Sequence, residues 1–267
     1  MPAVAGLIET ALFGLMGILV VAAALWLISL RTNDVSIIDS AWSIFQLIAA
    51  LIYFSHIPAG AGEIINLRAV LALALIVIWS LRLTIYITWR NWGHPEDYRY
   101  REIRERNQPN FAWKSIYLVF GLQAVLAWLL SFPTLAAMTN DSAISPVDIA
   151  GALLFSMGFL FESVGDLQLA RFKKSSANKN KVMNIGLWRY TRHPNYFGEF
   201  CMAWGIYLIA VAAGGWWTVF APLLITFLLF KISGVALMEK SIGERRPGYR
   251  EYINNTNAFF PGPPRAH

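Results

Sequence analysis

Two pairs of polar residues at helical i, i+4 spacing stand out in an otherwise apolar chain: Glu162 with Asp166, and Asn195 with Glu199. Residues four apart share one helix face. Two ionised carboxylates stacked this way repel each other, so that face needs donors: the ribose hydroxyls or amide of a nucleotide, a neighbouring basic side chain, or water. Asn195 and Glu199 present an amide beside a carboxylate, a pair that matches a carboxamide or an adenine edge. Both pairs lie at membrane depth, where a charge costs at least ~2.5 kcal/mol on insertion scales and usually marks function. Asp39, Arg82, Lys231 and Glu239 are further charges in or beside apolar runs.

The densest polar segment is NIGLWRYTRHPNYFGE, residues 184–199. Pro194 suits the first turn of a helix, where its missing N–H is not needed, and Gly198 permits close backbone or ligand approach. Arg189, Arg192 and His193 precede that turn, and the amides and positive dipole end of the helix complete a site for an anion such as phosphate. The alternative is a juxtamembrane stop with an aromatic belt, since Trp and Tyr favour interfaces. Arg82, with Trp79 and Tyr86 at i−3 and i+4, suits either a ligand anion or a structural ion pair. Asp39 suits either function or simple charge compensation at a helix N-terminus. No second His stands at ligand spacing from His193, and the single cysteine, Cys201, leaves neither a disulfide nor a zinc motif. No metal is expected.

The elements that must position these residues are membrane spans. Hydrophobic residues make up 57% of the 267 and charged residues 14%, roughly half the charged content of a soluble domain. Seven segments are long and apolar enough, wholly or nearly, to cross a bilayer: 6–30, 35–55, 66–89, 113–137, 146–166, 197–213 and 215–238. The first lacks the basic n-region of a signal peptide and reads as a retained span. The last two, separated by Gly214 and its neighbours, read as a tight hairpin. Arg31 follows span one, and Lys and Arg crowd the loops after spans three and five and the C-terminal tail, which predicts the N-terminus outside and the C-terminus in the cytosol. The loop 92–112 suits either a short interfacial helix or a solvated charged face. The net charge of +6 is dispersed between apolar runs, so anionic lipids or an anionic cofactor are expected partners and nucleic acid is not. The expectation is one all-α transmembrane domain over 1–267, with a nucleotide-binding half from about 146.

Four segments carry a family resemblance: LRLTIYITWRNWGHPEDYRY (81–100), GDLQLARFKK (165–174), ANKNKVMNIGLWRYTRHPNYFGEF (177–200) and SGVALMEKSIGERRPGYREYI (233–253). In these the chain resembles the bacterial DUF1295 membrane proteins, grouped with the C-terminal domain of steroid 5-alpha-reductases. The resemblance implies a multi-pass protein of the bacterial inner membrane that binds NADPH from the cytosolic side and reduces a carbon–carbon double bond conjugated to a carbonyl in a lipophilic substrate. It implies that Arg82, Lys173, Lys181 and Arg192 hold phosphates. Asp166, Asn195, Tyr196 and Glu199 would then fix the ribose and nicotinamide, with Tyr249 closing from the tail, and Glu162 and His193 complete the expected cofactor-binding set. In the steroid reductases a Glu on the second span and a Tyr on the third polarise the substrate carbonyl. Here Asp39 stands near the first position and Trp79 near the second, which leaves Asp39 and Tyr86 as candidates for that role. The RHPxYxGE-type signature is also similar to that of membrane methyltransferases of the isoprenylcysteine and phospholipid type, which use S-adenosylmethionine and a later Glu such as Glu239. That reading is the alternative.

Overall fold

The computed structural model describes residues 2–57, 66–232 and 248–265. Glu239, the basic residues Lys240, Arg245 and Arg246, and most of the 233–253 segment lie outside the described residues, as does the end of the expected seventh span. Among the described residues the chain is helical throughout, and five helices are long and apolar enough to cross a membrane. They are α1 (Pro2–Thr32), α2 (Ile37–Ser55), α3 (Leu67–Asn91), α5 (Phe111–Met138) and α6 (Pro146–Lys174). Between α3 and α5 lies the short α4 (Tyr98–Arg106). Then follow α7 (Pro194–Ala212), the shorter apolar α8 (Trp216–Lys231) and α9 (Tyr249–Asn255). The protein is a multi-pass helical membrane protein.

The chain divides into two compact units, 1–144 with the turn 210–218, and 145–209 with 219–267. In the first, α2 packs against α1, α3 and α5. Lipid offers no hydrophobic drive for helices to associate, so close packing and interhelical hydrogen bonds must do it. α2 supplies both. Gly14 and Gly17 of α1 leave room for Tyr53 and Ile52. On the buried face of α2, Ser43 bonds Thr84 Oγ1 at 2.8 Å, Gln46 Nε2 donates to the Ala127 carbonyl at 2.8 Å, and Tyr53 pairs with Ser131 Oγ at 2.7 Å. The tryptophan Nε1 groups of Trp26 and Trp128 donate to backbone carbonyls of Ala112 and Ala11, tying α1 to α5 near both ends.

The sequence reads span four as one uninterrupted helix, whereas α5 contains a π-helical stretch at Ile116–Gly121 and a break at Ser131. The break has a simple cause: Pro133 offers no N–H and its ring would clash with the preceding turn. Span five also differs. The expected end at 166 is overrun by two turns, because no Gly or Pro stops the helix and Arg171, Lys173 and Lys174 favour its negative dipole end. Those three basic residues are therefore helical. The hairpin after α7 is as tight as expected: Gly214 adopts φ +83°, and the Gly215 amide donates to the Ala210 carbonyl at 2.7 Å.

The loop 92–112 does contain a helix, and it is pinned. Asp97 caps α4 by accepting from the Arg99 amide at 2.9 Å. Glu96 accepts from Arg104 and from the Val35 amide, and Arg104 also donates to the Asn33 carbonyl. Burial raises the pKa of Asp97, but hydrogen bonds from Arg99 outweigh it and hold the carboxyl below its ordinary value. A depressed folded-state pKa gives stability that is present above the unfolded value and is lost as pH falls through the folded one. Acidification below about pH 4 is therefore expected to fray α4 from its N-terminus. Faster amide exchange at Tyr100 and Arg101, whose N–H groups bond the Asp97 carbonyl, would register it, and Asp97→Asn should remove the pH dependence.

Candidate functional site

The second unit is organised by a seam of small residues. Gly151, Gly158 and Gly165 recur every seventh position on α6, and Gly198 and Gly205 keep the same spacing on α7. The two helices run antiparallel and meet glycine to glycine. A Cβ built on Gly158 would overlap the Gly198 carbonyl oxygen, and one on Gly151 would lie 2.6 Å from the Gly205 carbonyl. At the polar end, Gly165 faces Pro194 and the Asn195 amide.

This seam brings four of the expected residues together. A Cβ on Gly198 would lie 2.6 Å from the Glu162 amide, so Glu162 sits directly across from the turn that carries Asn195 and Glu199. Asp166, one turn further along α6, is close enough for its charge to act on Glu199. Glu162 and Asp166 are buried, at 4% and 5% exposure, at a depth where carboxylates require donors. Asn195 Oδ1 is buried and has no hydrogen-bond partner among the described residues. The arrangement is a cluster of acceptors with one unsatisfied amide oxygen. Beside it the rings of His193 and Tyr196 stack nearly parallel, 5.4 Å between centroids.

Pro194 opens α7 as expected, and the Arg192 guanidinium before it reaches the tail. Its Nη1 donates to the Ile253 and Thr256 carbonyls at 3.0 and 2.6 Å, capping the C-terminal end of α9. Its neighbours join in: Thr191 Oγ1 bonds the Phe259 carbonyl, the Arg192 amide bonds Asn257, and the Gly262 amide bonds Tyr190. On the other side Trp188 Nε1 donates to the Gly165 carbonyl, the Leu187 amide bonds Gln168, and Tyr252 donates to the Trp188 carbonyl. The 186–193 segment is thus a clasp between α6 and the tail. Tyr249 is buried beside Tyr252 on α9, while Lys173 and Lys181 are exposed at either side of the turn after α6.

Asp39, Arg82 and Tyr86 belong to the first unit. Asp39, in the first turn of α2, is a partly buried ion-pair partner: Arg99 Nη2 reaches its Oδ2 at 2.7 Å and Tyr100 Oη donates to its Oδ1 at 2.6 Å. Burial, then the Asp39 charge, pushes the Tyr100 phenol well above its ordinary pKa. The Tyr86 ring lies between two guanidiniums of its own helix, Arg82 at 5.3 Å and Arg90 at 5.8 Å. Sequence reasoning missed Tyr100 and Arg99 as partners of Asp39, although both stand directly behind the helix-capping Asp97 that marks the start of α4.

No solved structure matches the chain. It is 28% identical to the uncharacterized protein C594.04c of Schizosaccharomyces pombe, over 93% of this chain and 78% of that protein. The family described as "Protein of unknown function (DUF1295)" matches residues 25–256, nearly the whole chain. This helical membrane protein belongs to the DUF1295 family.

Proposed function

We propose that the protein is an NADPH-dependent membrane reductase acting on a double bond conjugated to a carbonyl in a lipophilic substrate. The observation that carries the reading is the cluster of Glu162, Asp166, Asn195 and Glu199 at the α6–α7 seam, with Asn195 Oδ1 buried and unsatisfied. Buried polar groups are nearly always hydrogen-bonded, so an orphaned oxygen among carboxylates calls for a ligand rich in donors. Ribose hydroxyls and a carboxamide NH2 are such donors, and the residues present fit a nicotinamide dinucleotide. Bound there, reduced nicotinamide would supply the hydride.

The chain's own side chains hold, orient and neutralise. The carboxylates accept from hydroxyls, Asn195 fixes an amide edge, and the exposed Lys173 and Lys181 meet phosphate charge. Arg192 contributes by fastening the tail that carries Tyr249. In the first unit Asp39 acts as an acceptor that holds Arg99 and the Tyr100 hydroxyl in place, and Tyr100 Oη keeps a proton there over the working pH range. Tyr86, on α3 of the same unit, is the second residue proposed to polarise the substrate carbonyl.

NADPH is expected to raise the melting temperature of the detergent-purified protein, while S-adenosylmethionine leaves it unchanged. Binding linkage gives about 2.7 kcal/mol of stabilisation at a hundredfold excess over Kd. The opposite preference would replace the reductase by a methyltransferase of the isoprenylcysteine or phospholipid type.

A further inference from the structure

We infer that the tail segment 257–265 is a strap that positions the first turn of α7, and that Thr191 is the positioning residue through which it acts on His193. The inference rests on the cofactor reading for what that turn binds. The strap meets the segment before α7 in three places. The Arg192 amide donates to the Asn257 carbonyl at 2.9 Å, Thr191 Oγ1 to the Phe259 carbonyl at 2.7 Å, and the Gly262 amide to the Tyr190 carbonyl at 3.1 Å. Pro261, Pro263 and Pro264 have no N–H. Gly262 therefore holds the one backbone donor within 261–264, and it is used on the segment that leads into α7. The Arg265 amide then returns to the Asn255 carbonyl at 3.0 Å, closing the strap on α9.

Thr191 does more than anchor the strap. It is completely buried, and its Oγ1 also accepts from the His193 amide at 3.3 Å. A hydroxyl has one hydrogen to donate and lone pairs left to accept, so donation to Phe259 turns the oxygen's free side toward His193. The His193 carbonyl in turn accepts from the Phe197 amide at 3.0 Å, which begins the hydrogen-bond ladder of α7. Removing the strap thus releases the Thr191 hydroxyl, and with it the acceptor of a buried backbone N–H just ahead of the helix.

Aromatic rings fix the same turn from behind. At about 100° per residue, Phe197 and Phe200 stand roughly 140–200° round α7 from Asn195. The Phe259 ring meets them edge-on, at 5.7 Å from Phe200 and 6.2 Å from Phe197, and lies 4.3 Å from Phe230 of α8. Phe260 meets the same two rings at 5.7 Å and 6.1 Å while itself remaining exposed. The turn that carries Asn195 and Glu199 therefore offers its acceptors on one face and is braced by the strap on the other. Coupling between two such faces is reciprocal.

Thr191→Val keeps the branched shape and deletes the hydroxyl. In the full-length protein without ligand it should speed amide exchange at Gly262 and Phe197, and leave Ile149 unchanged, whose amide bonds the Ser145 carbonyl at the opposite end of α6 from Asp166. Affinity for NADPH should fall roughly tenfold, within the usual range for coupled sites. Thr191→Ser, which retains the hydroxyl, should restore both exchange and affinity. Phe260→Ala, which removes only an exposed ring, should give the same pattern in milder form and carries the test if Thr191→Val does not fold. Faster exchange at Gly262 with Phe197 and NADPH affinity unchanged would mean that the strap lies on α7 without positioning it. Equal acceleration at Ile149, or no recovery in Thr191→Ser, would reduce Thr191 to general packing. If the wild-type protein binds no NADPH the cofactor reading falls, and exchange at Phe197 still decides whether the strap positions α7.

Discussion

Gly158→Leu is expected to destabilise the second unit by about 3 kcal/mol or more and to abolish nucleotide binding with it. At Gly158 even a methyl group would run into the Gly198 carbonyl, the Cys201 Cβ at 2.8 Å and the Met202 amide at 2.9 Å. Two of those three neighbours are backbone, so no rotamer change relieves the clash and the helices must separate. Separation undoes what the seam provides, because in lipid the close approach itself is the attraction. The seam also predicts an order. Gly198→Ala meets the Gly158 carbonyl and the Glu162 amide and should be nearly as severe, whereas Gly165→Ala meets only Pro194 ring carbons at 3.1 Å and 3.3 Å and the Asn195 amide at 3.5 Å and should be mild. Gly6→Ala, with nothing within 4 Å, should be neutral or slightly stabilising, since Ala is the better helix former. Thermal melts of the four variants with and without NADPH would check the order. Equal melting temperatures for Gly158→Leu and Gly6→Ala would mean the seam does not hold the helices together.

The seam shows how far the sequence could be read. The seven-residue spacing of Gly151, Gly158 and Gly165 is visible in the chain, and so is that of Gly198 and Gly205. What the chain does not display is which stripe faces which, since that depends on the antiparallel approach of helices separated by a long loop. The i, i+4 pairs were legible because helical geometry alone puts Glu162 over Asp166 and Asn195 over Glu199. Spans were legible from length and hydropathy, but not their ends: Asp166 looks like a boundary until α6 is seen to carry it inside the bundle. The tail contacts of Arg192 were hidden for a related reason. Local composition, two arginines and a histidine ahead of a helix, reads as an anion site and says nothing of the carbonyls sixty or more positions away that its Nη1 also meets. The Asp39 pairings with Arg99 and Tyr100 span a similar distance, and no local pattern encodes them.

Asn195→Ala is expected to leave the protein folded and to weaken NADPH binding by roughly 30-fold, about 2 kcal/mol for a buried hydrogen bond. The two halves of that expectation have different grounds. Folding is spared because Asn195 Oδ1 makes no hydrogen bond to the described residues, so removing it deletes no internal bond and relieves a buried polar group of its desolvation cost. Binding suffers because the same oxygen is the acceptor that a ligand donor would satisfy, in a place where water cannot substitute freely. Asn195→Asp sharpens the test. It keeps the acceptor but adds a negative charge beside Asp166 and Glu199, and like charges at this depth repel strongly. It should therefore lower the melting temperature of the cofactor-free protein, which Asn195→Ala should not. Glu199→Gln has the opposite electrostatic effect, relieving repulsion from Asp166, and should raise cofactor-free stability while weakening binding. A structural role for the cluster would instead make all three variants less stable without ligand and leave the remaining affinity for NADPH unchanged, and that pattern would sink the assignment of this seam as the cofactor site.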